Sequence, residues 1–246
     1  MKGIIKEEYF KGRKLFIYMP PSYGKKGKTF PVLYSHDGKE VESLLEGLLP
    51  EIELSFDKRE LEEFIWVGIY SEQRQHEYTP WPMPALVSRF EDFKGLGKDY
   101  IHFVTKELKG YIDKNYFTKP EAADTWMMGY SLGGLISIYA IYETTCLGKI
   151  GCICGSFWYQ SMREWVQQHK PLNEKLQVLI YYGKKEGKSS QTIQRHAVEC
   201  TEQVIKYLKR QMENTDQLEI AFDEGGHHYN LEERYKKVIF WLARRK

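Results

Sequence analysis

The chain has 246 residues, 42% of them hydrophobic, 28% charged and 15% aromatic, and its formal net charge is +2. So many core-forming residues with so little net charge exclude a disordered chain, and 36 Lys and Arg against 34 Asp and Glu exclude the basic excess of a nucleic-acid binder. The most apolar stretch, residues 132–142, is about half of the roughly 20 residues a helix needs to cross a bilayer, so no membrane contact is expected.

No repeat, low-complexity tract or Pro/Gly/Ser linker divides the chain, and residues 1–246 read as one domain. The first residues lack the apolar core of a signal peptide. Cys146, Cys152, Cys154 and Cys200 have no zinc-ribbon spacing and read as free thiols. Alternation along an apolar run predicts that Cys152 and Cys154 share one face of a strand. A reducing, cytoplasmic setting fits these features. The 18 Tyr, 12 Phe and 6 Trp leave two readings open, a core of large side chains or, in part, a pocket for an aromatic ligand.

In chain order, residues 3–9 and Arg13 to Met19 predict a hairpin around Lys11-Gly12. Residues 31–35 and 64–70 are short apolar runs rich in β-branched and aromatic residues, as buried strands are. Residues 125–128, 150–154, 177–182 and 218–222 are further runs of this kind. Between them, Ile101, Val104, Leu108, Tyr111 and Ile112 fall on one helical face. So do Ile193, Ala197, Val204 and Leu208, and then Leu231, Tyr235, Val238, Ile239 and Leu242. Arg244-Arg245-Lys246 reads as a solvated helix end that complements the dipole. Strands alternating with helices after a hairpin predict an α/β fold, a mostly parallel sheet covered on both faces, with ligands at the carboxyl ends of the strands.

The loop after the strand at 125–128 reads Gly129-Tyr130-Ser131-Leu132-Gly133-Gly134, a G-x-S-x-G pattern between a strand and a helix. Such a turn forces the serine into a strained backbone and exposes its hydroxyl, which makes Ser131 the candidate nucleophile. A serine needs a base to take its proton, and in this arrangement the order is Ser, acid, His. Of the histidines beyond Ser131, His227 and His228 lie in a loop between the last strand and the last helix, where the base belongs. His227 is preferred because Gly225-Gly226 leaves it room to approach, with His228 as the alternative. Glu186 is the sole carboxylate in the loop after residues 177–182 and is the candidate acid, with Asp223 and Glu224 as alternatives. The oxyanion donors are assigned to the N–H groups of Leu132 and of Lys39, or Gly38 in its place, in the loop His36-Asp37-Gly38-Lys39.

With these residues in place, the sequence resembles the putative-esterase family of α/β-hydrolases. That family includes siderophore (enterochelin and bacillibactin) esterases, feruloyl and acetyl-xylan esterases, S-formylglutathione hydrolase and mycolyltransferases. The resemblance rests on Tyr18-Met19-Pro20-Pro21-Ser22-Tyr23, Asp37-Gly38, Arg74 with Glu77-Tyr78-Thr79-Pro80-Trp81, the elbow, Gly155-Ser156-Phe157-Trp158, residues 183–186 and Gly225-Gly226-His227. Asp-Gly in the oxyanion loop and Arg followed by Glu-Tyr-Thr-Pro look more like the siderophore-esterase branch. The chain departs from the family in lacking the large N-terminal domain of enterochelin esterase and in offering Glu rather than the commoner Asp as acid. The resemblance implies a serine carboxylic-ester hydrolase that needs no metal or organic cofactor and takes a small-molecule ester.

Lys39, Arg74, Lys184, Lys185 and Lys188 lie on strand-end loops, where they would attract an anionic substrate such as a ferric tris-catecholate. Trp81, Phe157, Trp158, Tyr159 and Trp165 fall in segments expected to overhang Ser131, as aromatic walls or as core. Arg74, Trp81, Trp158 and Tyr130 are the candidate substrate contacts, with Arg74 also able to tie down the 78–81 loop. The expected reaction is hydrolysis of a siderophore-like or aryl ester. Acyl-carbohydrate hydrolysis is the alternative, and a non-catalytic binding protein of the same fold is the reading from another class.

Overall fold

In the computed structural model, which describes residues 1–245, eight strands form one sheet in the order β1-β2-β4-β3-β5-β6-β7-β8. Strands β1 (Ile4–Phe10) and β2 (Arg13–Met19) pair antiparallel across Lys11 and Gly12, both at positive φ (51° and 78°). Two left-handed residues match the twist of the strands they join, which is why glycine occupies one of them. β2 continues antiparallel onto β4 (Ile65–Ile69). Strands β3 (Val32–Ser35), β4, β5 (Thr125–Tyr130), β6 (Lys149–Ile153), β7 (Gln177–Gly183) and β8 (Leu218–Asp223) run parallel. The parallel strands are flanked by helices on both sides, so the central ones are buried along nearly their whole length.

On one face, Phe16, Leu33, Trp66, Trp126 and Met128 meet helices α1 (Gly38–Glu42) and α2 (Leu45–Asp57) and the chain's last helix. The other face packs against α4 (Gly97–His102), α5 (Lys109–Asn115), α6 (Leu132–Ala140), α7 (Met162–Gln168) and α8 (Ala197–Gln211), with the short α3 (Arg74–Glu77) lying against α4. The last helix, α9 (Leu231–Ala243), presents Tyr235, Val238, Ile239 and Leu242 to the sheet, as the periodicity predicts. Between α4 and α5 the chain winds as a π-helical turn over Phe103–Leu108, and Ile101, Val104, Leu108 and Ile112 remain buried. Arg244 sits just beyond α9 and pairs with Glu219 at 2.9 Å; Lys246 lies outside the described residues.

Helix α2 contains Pro50, yet Leu45, Leu48, Leu49, Ile52 and Phe56 are buried at helical spacing. Burial of that stripe outweighs the roughly 3 kcal/mol that an interior proline costs. Cys152 and Cys154 do not share a face. Cys152 joins the core beneath α6, whereas Cys154 lies past the end of β6 with φ 50° and joins the core on the α9 side. The left-handed residue breaks the alternation. Cys152, Cys154 and Cys200 are buried free thiols, and Cys146 is half-buried. Among the described residues, no helix is long and apolar enough to cross a membrane.

Candidate active site

Ser131 sits between β5 and α6 with φ 60° and ψ −117°, outside the regions a side-chain-bearing residue adopts freely. The turn is tight enough that a Cβ on Gly129 would lie 2.5 Å from the carbonyl of Gly133. Main-chain bonds lock it, with Ser131 N–H donating to Ile153 at 2.9 Å and Ser156 N–H donating to Ser131 at 3.1 Å. The side chain of Ser156 stands 3.3 Å from Ser131 Oγ.

His227, from the loop between β8 and α9, reaches the serine. Its Nε2 is 3.0 Å from Ser131 Oγ, and its Nδ1 is 2.7 Å from Glu186 Oε2. Glu186 lies in the turn after β7, is 5% exposed, and accepts the Gly183 N–H through Oε1 at 2.8 Å. The other candidates are engaged elsewhere. His228 Nδ1 lies 2.8 Å from the Tyr130 hydroxyl, Glu224 pairs with Lys184 at 2.9 Å, and Asp223 is held by Arg234.

Arg234 has no exposed surface. It grips Asp223 through Nε at 2.7 Å and Nη2 at 2.8 Å, and donates to the carbonyls of Gly226 and His227, each at 2.9 Å. The guanidinium bonds hold the Asp223 carboxyl below its usual range. One buried ion pair therefore sets the path of the loop that carries the imidazole. The remaining Arg234 N–H group donates to Cys154 Sγ at 2.8 Å.

Leu132 opens α6 and Lys39 is the second residue of α1, so neither N–H has an acceptor within its own helix. The loop before Lys39 packs on the start of α6, where a Cβ on Gly133 would come within 3.3 Å of His36. Asp37 adopts φ 56°, its N–H donates to the Tyr78 hydroxyl at 3.1 Å, and Arg74 binds both of its oxygens at 2.6 and 3.1 Å. Burial raises the Asp37 pKa, and the adjacent guanidinium opposes the shift. The same Arg74 reaches the Tyr130 carbonyl at 3.4 Å.

Trp81 is drawn into a cluster with Tyr139, Tyr159 and Trp165, and its indole N–H donates to Gln160 at 2.9 Å. Trp158 is 7% exposed within the core. Most of the aromatic load is core of this sort. Beside Leu132 opens a cavity of about 790 Å³ whose lining includes Arg74, His76, Arg89, Phe90 and Lys94. The Lys39 side chain is exposed and borders a different hollow with Lys14, Glu40 and Tyr70.

Sequence reasoning did not single out Arg89, Phe90, Lys94, Ser156 or Arg234 as site residues. For Arg234 a signal existed, because it lies three residues after Leu231 and four before Val238, on the buried stripe of α9.

Residues 10–236 match the family model described as putative esterase. The uncharacterized protein YbbA of Bacillus subtilis (strain 168) is 35% identical over 245 residues, covering 98% of this chain and 97% of that protein. Among solved structures, the BES protein of Bacillus cereus superposes with a TM-score of 0.73 at 18% identity, covering 100% of this chain and 97% of that one. The siderophore hydrolase EstA of Aspergillus nidulans superposes with a TM-score of 0.77 at 14% identity, covering 98% and 94%.

Proposed function

The chain belongs to the putative esterase family and is a carboxylic-ester hydrolase, and on that premise we propose that it works through Ser131, His227 and Glu186. The observation that carries this reading is the unbroken chain of contacts from Ser131 Oγ through the imidazole to the Glu186 carboxylate, at 3.0 and 2.7 Å. Ser131 attacks the ester carbonyl as His227 Nε2 takes its proton, and Glu186 holds the tautomer and steadies the imidazolium. The tetrahedral oxyanion is held by the N–H groups of Leu132 and Lys39. His227 returns the proton to the departing alcohol, then activates water to release the acyl group. Metal and organic cofactors have no part in these steps. The reaction is assigned to one domain in the cytoplasm, a setting the free thiols support.

The substrate is a siderophore-like or aryl ester. The ring of Phe90, with Arg89 and Lys94 set against Glu72 and Glu91 around the cavity at Leu132, suits a polar aromatic acyl arm, and the likeness to a siderophore hydrolase agrees. Ser131→Ala should lower hydrolysis of a p-nitrophenyl ester more than about a thousandfold, and retained turnover would overturn the mechanism. A panel of ferric trilactone siderophores beside acetylated and feruloylated sugars tests the substrate. Turnover of the sugar esters alone would replace it with acyl-carbohydrate hydrolysis.

A further inference from the structure

We propose that a soft divalent cation of the zinc or cadmium class binds between Cys154, Glu186 and His227 and holds the site inactive. The inference rests on the reading of His227 as the base and extends it to regulation of the same site. One ligand atom from each of these three residues lies within 4.8 Å of the other two. A tetrahedral zinc with sulfur, nitrogen and oxygen ligands sets its ligand atoms about 3.5 Å apart, so small side-chain movements suffice. Cys154 takes no part in ester hydrolysis, yet its left-handed backbone turns it off the end of β6 to this place.

The electrostatics favour a dication. A metal-bound thiol is deprotonated outright, and the Arg234 N–H that donates to Cys154 Sγ at 2.8 Å serves a thiolate equally well. The Cys154 thiolate, Glu186 and Asp223 then stand against the single guanidinium of Arg234, leaving two negative charges in excess. Thiolate beside imidazole selects zinc or cadmium over magnesium or calcium. His227 is the accessible member of the set, with 28% of its side chain exposed, and Cys154 and Glu186 are buried behind it.

The consequence follows from the tautomer. The nitrogen facing Glu186 is Nδ1. A metal there displaces its proton, the ring proton moves to Nε2, and the thiol proton leaves to solvent. With Nε2 protonated, the imidazole has no lone pair for the Ser131 proton.

The test is a cadmium titration of the EDTA-treated, dialysed protein, followed by p-nitrophenyl ester turnover and by the ultraviolet thiolate-to-cadmium charge-transfer band. At free cadmium about ten times the dissociation constant, mass action lowers the rate about tenfold. The band should grow with the same midpoint, EDTA should restore the rate, and magnesium should do neither. Cys154→Ser, normalised to its own metal-free rate, should lose this band and move the midpoint of inhibition up at least about tenfold. Glu186→Gln, which keeps the thiol, should weaken the band's midpoint similarly. Absence of the band in the parent protein, or an unchanged midpoint in Cys154→Ser, would overturn the proposal. Ser131→Ala keeps all three ligands and should show the parent's band, so failure of the metal site and failure of the serine mechanism are read separately.

Discussion

The phenol ring of Tyr130 lies stacked on the imidazole of His227, with ring centroids 4.8 Å apart and an interplanar angle of 29°. Its hydroxyl donates to the His227 carbonyl at 3.1 Å and lies 2.8 Å from His228 Nδ1. Tyr130 thus holds the His227 imidazole by face and by backbone. Tyr130 is a substrate contact on the sequence reading; here its ring and hydroxyl lie against His227 and His228.

Tyr130→Phe keeps the ring and loses the two hydroxyl contacts, whereas Tyr130→Leu loses both. An aromatic face against an imidazolium contributes about 0.5–2 kcal/mol. The expected result is a kcat about 2- to 30-fold lower in Tyr130→Leu than in Tyr130→Phe, with KM held. Steady-state kinetics on one ester checks it. A rise in KM at constant kcat in both variants would return Tyr130 to the substrate.

Arg74 joins the two halves of the proposed oxyanion hole. It binds Asp37, two residues before Lys39, and reaches the carbonyl of Tyr130, two residues before Leu132. Lysine cannot make the forked contact, and methionine leaves the buried Asp37 carboxyl unpaired. Arg74→Lys and Arg74→Met should therefore lower kcat, the latter by about a hundredfold if the donors move by an ångström. Affinity for a boronic-acid transition-state analogue should fall in step with kcat/KM. A KM effect alone would assign Arg74 to substrate binding.

What was legible in the sequence follows local rules. Strands β1 and β2 announce themselves as a hairpin around Lys11-Gly12 and β3 to β8 as apolar runs, and the loop positions of Ser131, Glu186 and His227 follow from which strand each one succeeds. What was not legible is long-range pairing. The stripe of α9 marks Arg234 as inward-facing, but its partnership with Asp223 and with the carbonyls of Gly226 and His227 depends on a loop path that no local pattern gives. Cys154 takes a left-handed φ of 50° just past β6, and no pattern in the apolar run betrays it. Trp81 and Trp158 illustrate the same limit, since composition counts aromatics without saying which ones the fold turns inward.

His36, next to Asp37, gives the loop between β3 and α1 a pH dependence of its own. It has no exposed surface, its Nδ1 lies 2.8 Å from the Tyr100 hydroxyl, and its Nε2 has no partner among the described residues. Burial, with the nearby Arg74 charge, pushes its pKa from the ordinary 6.5 down to about 3. Between those values the unfolded chain binds a proton here that the folded chain refuses, so stability falls as the pH drops from 6.5 toward 3 and is level in this respect above 6.5. The slope contributed is at most about 1.4 kcal/mol per pH unit. His36→Asn keeps a polar group near Nδ1 and removes the titration. Urea unfolding of both proteins across that range should show their stability difference narrowing as the pH falls, while parallel curves would mean that His36 takes up its proton in the folded state as readily as in the unfolded one.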